Sequence, residues 1–349
     1  MSDYTVSKIF PFDKNTNMKI DALLFEEGIR RDANLDYTCA ILDDKGRAIA
    51  TGSTFGNTLR CLAVSSEHQG EGLLNSIVSH LIDFQYERGN FHLFLYTKTC
   101  TAKFFSDLGF HEIARIDGLI SFMENKKTGF QDYLKNLERP QKNPSKVAAL
   151  VINANPFTLG HQYLVEKASQ ENDLLHLFLV SEDASLVPFA VRKNLVEKGT
   201  VHLNNIIYHD SGPYIISQST FPSYFQKDEF SVIESQARLD LEIFIRIAHE
   251  LGITRRYVGN EPTSLVTNLY NQVMTEKLPE QGIDCLIIPR KTFDSAQPIS
   301  ASTARQAIKD GDWELLAKLL PQTSLDYFTS DQAKPVISRI RGEENVSHY

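Results

Sequence analysis

Five short apolar runs, separated by helix-like segments, constrain the second part of this chain more than any other feature. The runs read VAALVIN, LLHLFLV, NIIYHD, RRYVGN and DCLIIPR, and helices are predicted between them at 160–170, 190–199 and 232–251. Strands that are apolar almost throughout are typical of a parallel sheet buried on both faces. From residue 146 onward we therefore expect a Rossmann-like α/β domain, with ligands bound beyond the carboxyl ends of its strands.

The first part of the chain has a different order of predicted strands and helices, and it is predicted to be a separate, mixed α/β domain. Asp43-Asp44-Lys45-Gly46 joins two β-rich runs into a hairpin, and the loop SSEHQGEG separates a strand from a helix that begins at Leu73. The polar segment that follows carries two prolines, which is typical of a linker. The predicted organisation is a domain at 1–125, a linker at 126–145 and the parallel-sheet domain at 146–349.

Composition excludes several classes of function. A net charge of −8 in 349 residues argues against non-specific binding to nucleic acid or to an acidic membrane. The four cysteines are dispersed and form no CxxC or Cys/His cluster, so neither structural zinc nor a disulfide framework is expected. No run reaches the ~18 apolar residues of a membrane span, and the first residues lack the apolar core of a signal peptide. We expect a cytoplasmic protein without a protein-built metal centre.

The loop after the first parallel strand ends in Thr158-Leu159-Gly160-His161, at the predicted start of a helix. Helix starts have unpaired N–H groups and a partial positive charge, and they attract phosphate. Thr158 and His161 would add a hydroxyl and an imidazole donor, and Gly160 would let the backbone approach the ligand. Taken alone, the pattern also fits an ordinary threonine N-cap beside a surface histidine.

A second helix start near the end of the chain carries similar chemistry. Ser300, Ser302 and Thr303 precede Arg305, and the helix is predicted to end at Gly311. Three hydroxyls and an arginine would make a second phosphate clamp. By itself this pattern also fits a simple N-cap followed by a solvent-facing arginine.

Together the two loops resemble those of the HxGH-type nucleotidyltransferases, a cytidylyltransferase-like superfamily, with T-x-G-H at Thr158–His161 and an ISSTxxR-like element at Ile299–Arg305. More specifically, NANPFTLGHQYLVEKA, FLVSEDAS, STFPSYF, VGNEPTSLVTNLYNQVM and PISASTARQ resemble the citrate (pro-3S)-lyase ligases across nearly the whole chain. The resemblance implies that ATP activates acetate to acetyl-AMP with release of diphosphate. The acetyl group then passes to the thiol of the prosthetic arm on the citrate lyase acyl-carrier subunit, and AMP is released.

The same resemblance implies roles for individual residues. His161 is expected to donate to the α-phosphate, and it forms the catalytic set together with Thr158, Lys291 and Arg305, with Mg²⁺ bridging the triphosphate tail. The residues expected to contact the nucleotide are Asn153, Asn155, Phe157, Gly160, Gly259, Arg290, Ser300, Ser302 and Thr303. For Arg192 and Lys227 a site role and a solvated surface charge remain equally open.

The N-terminal domain resembles the GNAT acetyltransferases. VSSEHQGEGLL matches their pyrophosphate loop, and AKFFSDLGF matches a later family element. The resemblance implies that Val64, Gln69, Gly70, Gly72 and Leu73 hold a coenzyme-A-like group. No general base is evident, so we expect a module that binds the dephospho-coenzyme-A-type arm of the carrier and does not catalyse an acetyl transfer of its own.

Two alternative functions start from the same loops. One is an adenylyltransferase of the phosphopantetheine or nicotinamide mononucleotide type. The other is a GNAT acetyltransferase whose second domain only senses nucleotide. ATP–pyrophosphate exchange distinguishes all three hypotheses: the ligase requires acetate, the adenylyltransferase requires its phosphorylated cosubstrate, and the acetyltransferase shows no exchange.

Overall fold

The structure, a computed structural model, describes residues 4–32, 34–141, 143–181, 185–215, 229–260, 265–293 and 297–346. These residues divide into two compact units. The first unit comprises the described residues up to Tyr133 and residues 229–242. The second comprises the described residues from Leu134 to 215 and from Ile243 onward.

Strands and helices alternate along most of the described chain. The strands are Ser7–Ile9 (β1), Tyr37–Leu42 (β2), Ala48–Phe55 (β3), Thr58–Val64 (β4), Phe94–Lys98 (β5), His111–Ile116 (β6), Ile120–Glu124 (β7), Val147–Ile152 (β8), Leu174–Leu179 (β9), Ile206–Asp210 (β10), Arg255–Gly259 (β11), Asp284–Ile288 (β12), Thr292–Phe293 (β13) and Gln297–Pro298 (β14). The α-helices are Lys14–Glu26 (α1), Leu73–Glu87 (α2), Ala102–Asp107 (α3), Gly129–Asn136 (α4), Leu159–Gln170 (α5), Phe189–Gly199 (α6), Glu229–Leu251 (α7), Leu265–Lys277 (α8), Ala301–Asp310 (α9), Trp313–Leu319 (α10), Gln322–Thr329 (α11) and Lys334–Gly342 (α12).

The first unit is built on a mixed sheet in the order β1-β2-β3-β4-β5-β7-β6. Helices α1 and α2 pack into different cores, because alternate residues of β2 point to opposite faces: Ala40 joins the core of α1, whereas Cys39 and Ile41 join that of α2. Strands β4 and β5 run parallel but pair only at Thr58–Phe94 and Leu59–Leu95. They therefore diverge toward the end of β4 that leads into the glycine loop.

The second unit is built on a parallel sheet in the order β10-β9-β8-β11-β12. Every residue of β9 is buried, as expected for a strand covered on both faces. All five predicted strands are present, and the predicted α/β class, a mixed-sheet unit followed by a parallel-sheet unit, is confirmed. The strand order reverses between β8 and β11, which makes their carboxyl ends the topological switch point where ligands of such sheets bind.

Two buried histidines lie side by side on β9 and β10. His176 Nδ1 is 2.8 Å from His209 Nε2, and the side chains are 0% and 5% exposed. Burial lowers the pKa of His176 to about 3, with His209 adding to the effect, and lowers the pKa of His209 to about 4. Both rings are therefore neutral in the folded protein at neutral pH.

This pair should make the second unit acid-sensitive. On unfolding, each ring returns toward its ordinary pKa of 6.5, so the unfolded chain binds more protons below that pH and stability falls as pH drops. We expect a loss of about 1.4 kcal/mol per pH unit for each histidine between pH 6.5 and roughly 5. Urea unfolding followed through Trp313, the one tryptophan of the chain, measures this loss in the unit that contains the pair. The variant His176→Gln/His209→Gln should be less stable at pH 7 with a flatter pH dependence, and an equally steep one would contradict the assignment.

The four cysteines are free: Cys39 and Cys61 are buried, Cys285 is half-buried and Cys100 is exposed. Among the described residues, no helix has the length and apolar character needed to cross a membrane.

Candidate active site

The two predicted phosphate loops meet at the switch point of the parallel sheet. Helix α5 begins just after β8, and the hairpin β13–β14 leads through Ile299 into α9. A Cβ atom on Gly160 would lie only 3.1 Å from the carbonyl oxygen of Ile299, so glycine permits the close approach of the two helix starts. The predicted approach of this backbone to a ligand stays a prediction, and the structure adds a second reason for glycine at this position.

His161 is held in a defined tautomer at the first turn of α5. Its Nδ1 accepts a hydrogen bond from the backbone N–H of Thr158 at 3.1 Å and lies 2.9 Å from the Thr158 hydroxyl. A backbone N–H can only donate, so Nδ1 is the acceptor and the proton of the neutral ring is on Nε2. The site therefore presents an N–H donor from a half-buried residue.

The surroundings of His161 keep the ring uncharged. Burial, followed by the positive charges of Arg290 and Arg305, lowers the pKa of His161 to about 4. At neutral pH the imidazole thus donates a hydrogen bond from Nε2 without acting as a proton source. The same arginine charges favour a negatively charged ligand next to the ring.

Thr158 and Phe157 both contact His161 and hold its ring in place. Thr158 is 1% exposed and caps α5, accepting from the backbone N–H of His161. Phe157 is fully buried, and its ring stacks on the imidazole with centroids 6.0 Å apart. Gly199 makes room for it, because an added Cβ there would lie 2.4 Å from Phe157 Cε1. Both side chains are buried and orient the imidazole, and the direct role of Thr158 and the contact of Phe157 with the nucleotide stay predictions.

The hydroxyls of the second loop are brought together as predicted from the sequence. Ser300 caps α9 by accepting from the backbone N–H of Thr303 at 3.0 Å. Its Oγ also lies 2.9 Å from Ser302 Oγ and 2.7 Å from Thr303 Oγ1. Three partly exposed hydroxyls thus surround a helix start, an arrangement suited to phosphate oxygens.

Arg305, which is predicted to bind the triphosphate tail, has a buried side chain in this structure. Its side chain is 2% exposed, and it donates from Nε to the Val346 carbonyl and from Nη1 to the Asn155 carbonyl, each at 2.6 Å. A guanidinium that donates to two buried carbonyls positions the loop of Asn155, and its contact with the triphosphate tail stays a prediction.

Arg192, which the sequence left open, is a buried clamp. It is fully buried and donates from Nη1 to the carbonyls of Asn153 and Val180 and to Asn153 Oδ1, and from Nε to the Val187 carbonyl. One side chain thereby ties together the ends of β8 and β9 and the turn before α6. It is not a solvated surface charge.

The two asparagines after β8 differ in their surroundings. Asn153 bonds with Ser185 and Arg192, which fixes its amide. Asn155 accepts from the Val187 N–H at 3.0 Å, whereas its Nδ2 is buried and has no hydrogen-bond partner in the described part of the chain. That unsatisfied donor keeps Asn155 a candidate for contact with the nucleotide.

The remaining predicted nucleotide residues follow β11 and β12. Gly259 ends β11, and its carbonyl accepts from Asn271 at 3.0 Å. Arg290 donates from Nε to the Asn260 carbonyl at 3.0 Å, and burial lowers the pKa of its guanidinium. Lys291 is exposed, with its Nζ 6.0 Å from the centre of the Tyr163 ring.

The glycine loop of the first unit connects β4 to α2. Gln69, Gly70 and Gly72 are exposed, and the glycines adopt φ values of 88° and 78° with no atom within 4 Å of an added Cβ. Such a loop needs glycine for its backbone and leaves open space above it. Val64 is half-buried at the end of β4, while Leu73 is 4% exposed and packs into the core. Since the side chain of Leu73 faces the core, its predicted contact with the ligand would come from its backbone.

Lys227 lies outside the described residues. Within them, no group of three or more His, Cys, Asp or Glu side chains is arranged to hold a metal ion.

The chain is similar in sequence to known proteins of one family. The model of the citrate lyase ligase C-terminal domain matches residues 147–328. The chain is 36% identical over 314 residues to the citrate (pro-3S)-lyase ligase of Haemophilus influenzae, covering 88% of this chain and 93% of the relative. It is 37% identical over 315 residues to the enzyme of that name from Escherichia coli, covering 88% and 89%. A GNAT family N-acetyltransferase from Escherichia coli, solved with CoA, matches 36% of this chain and 83% of its own, at 18% identity and a TM-score of 0.28.

Proposed function

Since the chain belongs to the citrate (pro-3S)-lyase ligase family, we propose that it activates acetate with ATP and acetylates the thiol arm of the citrate lyase acyl-carrier subunit. It is an enzyme, an acid–thiol ligase that forms AMP. ATP is the nucleotide for which the second unit is suited. A cytoplasmic location is part of the proposal.

One observation carries the nucleotide part of this proposal. The starts of α5 and α9 lie against each other at the switch point, with Gly160 beside Ile299. This contact places the Nε2–H donor of His161 and the three hydroxyls around Ser300 at one edge of the sheet, with the charge of Arg290 close to the imidazole. Backbone N–H groups, hydroxyls and cations together are suited to a triphosphate.

The first half-reaction requires an acetate oxygen to attack the α-phosphorus while the bond to the diphosphate breaks. Negative charge builds up on the α-phosphate oxygens in the transition state, where His161 Nε2–H is proposed to donate. The neutral ring favours this role, because its proton stays on the nitrogen throughout. Arg290 and Lys291 are proposed to bind the β- and γ-phosphates. Asn153, Asn155, Gly259, Ser300, Ser302 and Thr303 are proposed as further contacts to the nucleotide.

Mg²⁺ is proposed to arrive bound to the phosphate oxygens of ATP. Such a metal is commonly held by substrate phosphates and waters, so it does not require a cluster of protein carboxylates. When bound, it would neutralise part of the triphosphate charge.

In the second half-reaction the thiol attacks the acetyl carbon, and AMP leaves. We propose that the domain at 1–125 holds the coenzyme-A-like arm at Gln69, Gly70 and Gly72, with Val64 and the backbone of Leu73 beside it, and that the linker at 126–145 precedes the ATP-binding domain at 146–349. The open space above both glycines supports this assignment. Holding the arm would raise the local concentration of the thiol near acetyl-AMP.

ATP–pyrophosphate exchange with purified protein tests the proposal. Labelled diphosphate should enter ATP when acetate is present, without any carrier protein. Exchange that ignores acetate and requires phosphopantetheine or nicotinamide mononucleotide would favour the adenylyltransferase alternative. Absence of exchange with any of these substrates would favour the nucleotide-sensing acetyltransferase and overturn the proposal.

A further inference from the structure

The segment Glu343–Val346, here called the strap, lies along α9 and is fastened by two cationic side chains. Lys309 Nζ donates to the carbonyl oxygens of Glu343 at 2.6 Å and Glu344 at 2.9 Å. Arg305 Nε donates to the carbonyl oxygen of Val346 at 2.6 Å, and the Val346 side chain is 1% exposed. The strap thus supplies three backbone acceptors to the helix that carries the second phosphate loop.

One of these contacts continues into the first loop. The guanidinium that bonds to Val346 also donates from Nη1 to the carbonyl oxygen of Asn155 at 2.6 Å. Asn155 lies three residues before Thr158, whose backbone N–H and hydroxyl fix the ring of His161. A continuous set of hydrogen bonds therefore runs from the strap through Arg305 to the loop that orients His161.

Burial makes the position of Arg305 depend on its acceptors. A buried guanidinium that loses a hydrogen-bond partner is strongly disfavoured and tends to move toward water. If it moved, the Asn155 carbonyl would lose its donor, and the positive charge near His161 would shift. Residues of the strap would thus affect the nucleotide site without touching the nucleotide.

We propose that the strap is a positioning element of the nucleotide site, which holds Arg305 in place so that Arg305 can hold the T-x-G-H loop. The inference rests on the proposed function for the identity of the ligand, ATP.

Two truncations test this proposal with a matched control. Removal of residues 343–349 deletes the acceptors, whereas removal of 347–349 leaves Val346 in place. We expect the longer truncation to raise the KM for ATP in acetate-dependent exchange by roughly tenfold or more, the effect of losing one hydrogen bond to a charged group. It should also reduce the shift in Tm that MgATP produces, and both effects should be larger than those of the shorter truncation, which keeps the three backbone acceptors of the strap.

If the removal of residues 343–349 lowers Tm but leaves the KM for ATP and the MgATP-induced shift unchanged, the strap only stabilises the fold, which would contradict the proposal. If that protein does not fold, Lys309→Met replaces it, since this change removes two strap contacts and leaves Arg305 intact. Lys309→Met should raise the KM for ATP, and Lys309→Arg should keep it at the value of the full chain. Equal KM values for Lys309→Met and the full chain would overturn the proposal. Because the Tm shift needs only MgATP, it still compares the variants if acetate-dependent exchange fails in the full chain.

Discussion

Replacement of His161 by alanine is expected to reduce acetate-dependent ATP–pyrophosphate exchange by roughly 10²–10³-fold, the usual effect of removing one preorganised donor to a developing oxyanion. The reason is the fixed tautomer: Thr158 directs both of its donors to Nδ1, so the Nε2–H is available to the α-phosphate. The effect should fall on kcat more than on the KM for ATP, because charge builds up on the α-phosphate only in the transition state.

His202→Ala is the matched control, since this histidine lies on the same unit, is exposed and pairs with Glu166 at 3.1 Å. It should exchange at the rate of the unmodified protein. Circular dichroism and Tm must show that both variants are folded. Near-normal kcat in folded His161→Ala would remove this residue from the chemistry and leave it as part of a helix cap.

Replacement of Gly70 and Gly72 by valine should separate the two half-reactions. Both glycines adopt a left-handed backbone that disfavours valine, and a side chain there would enter the open space above the loop. Acetylation of the carrier thiol is expected to fall roughly 10- to 100-fold, which corresponds to the loss of a charged hydrogen bond to the arm. Acetate-dependent exchange should remain at its normal rate.

Backbone strain alone could imitate this result, and the same unit offers a control for it. Gly89 and Gly118 adopt φ values of 79° and 74° and also have no atom within 4 Å of an added Cβ. Gly89→Val/Gly118→Val should therefore carry a similar strain away from the loop and transfer acetyl groups normally. An equal loss of transfer in both double variants would assign the effect to folding and would count against an arm-binding loop.

Local patterns made much of the fold and part of the site predictable from the sequence. The apolar run of β9 is buried along its whole length, and the hydroxyl of Ser300 caps the helix that the sequence places after it. Both follow from neighbours within a few residues. The predicted linker contains helix α4, a short helix that its sequence also allowed, and the buried side chain of that helix is Phe130.

The contacts that hold the site residues in place depend on distant partners. Arg305 bonds to carbonyls 41 and 150 positions away, and nothing in its own segment indicates either acceptor. The space beside Phe157 is provided by Gly199, and the neighbour that requires Gly160 to lack a side chain is Ile299. A motif shows which residues belong together but does not separate those that touch the ligand from those that hold the others in place.

The clamp formed by Arg192 has a consequence for genetics. Within the described residues its guanidinium joins three chain segments through four acceptors, including the carbonyls of Asn153, Val180 and Val187. Lysine lacks the planar, forked set of donors needed to replace it. A loss-of-function screen scored only by growth would therefore rank codons 192 and 161 together. Immunoblots of the same mutants should separate them, with depleted protein for Arg192 and normal abundance for His161.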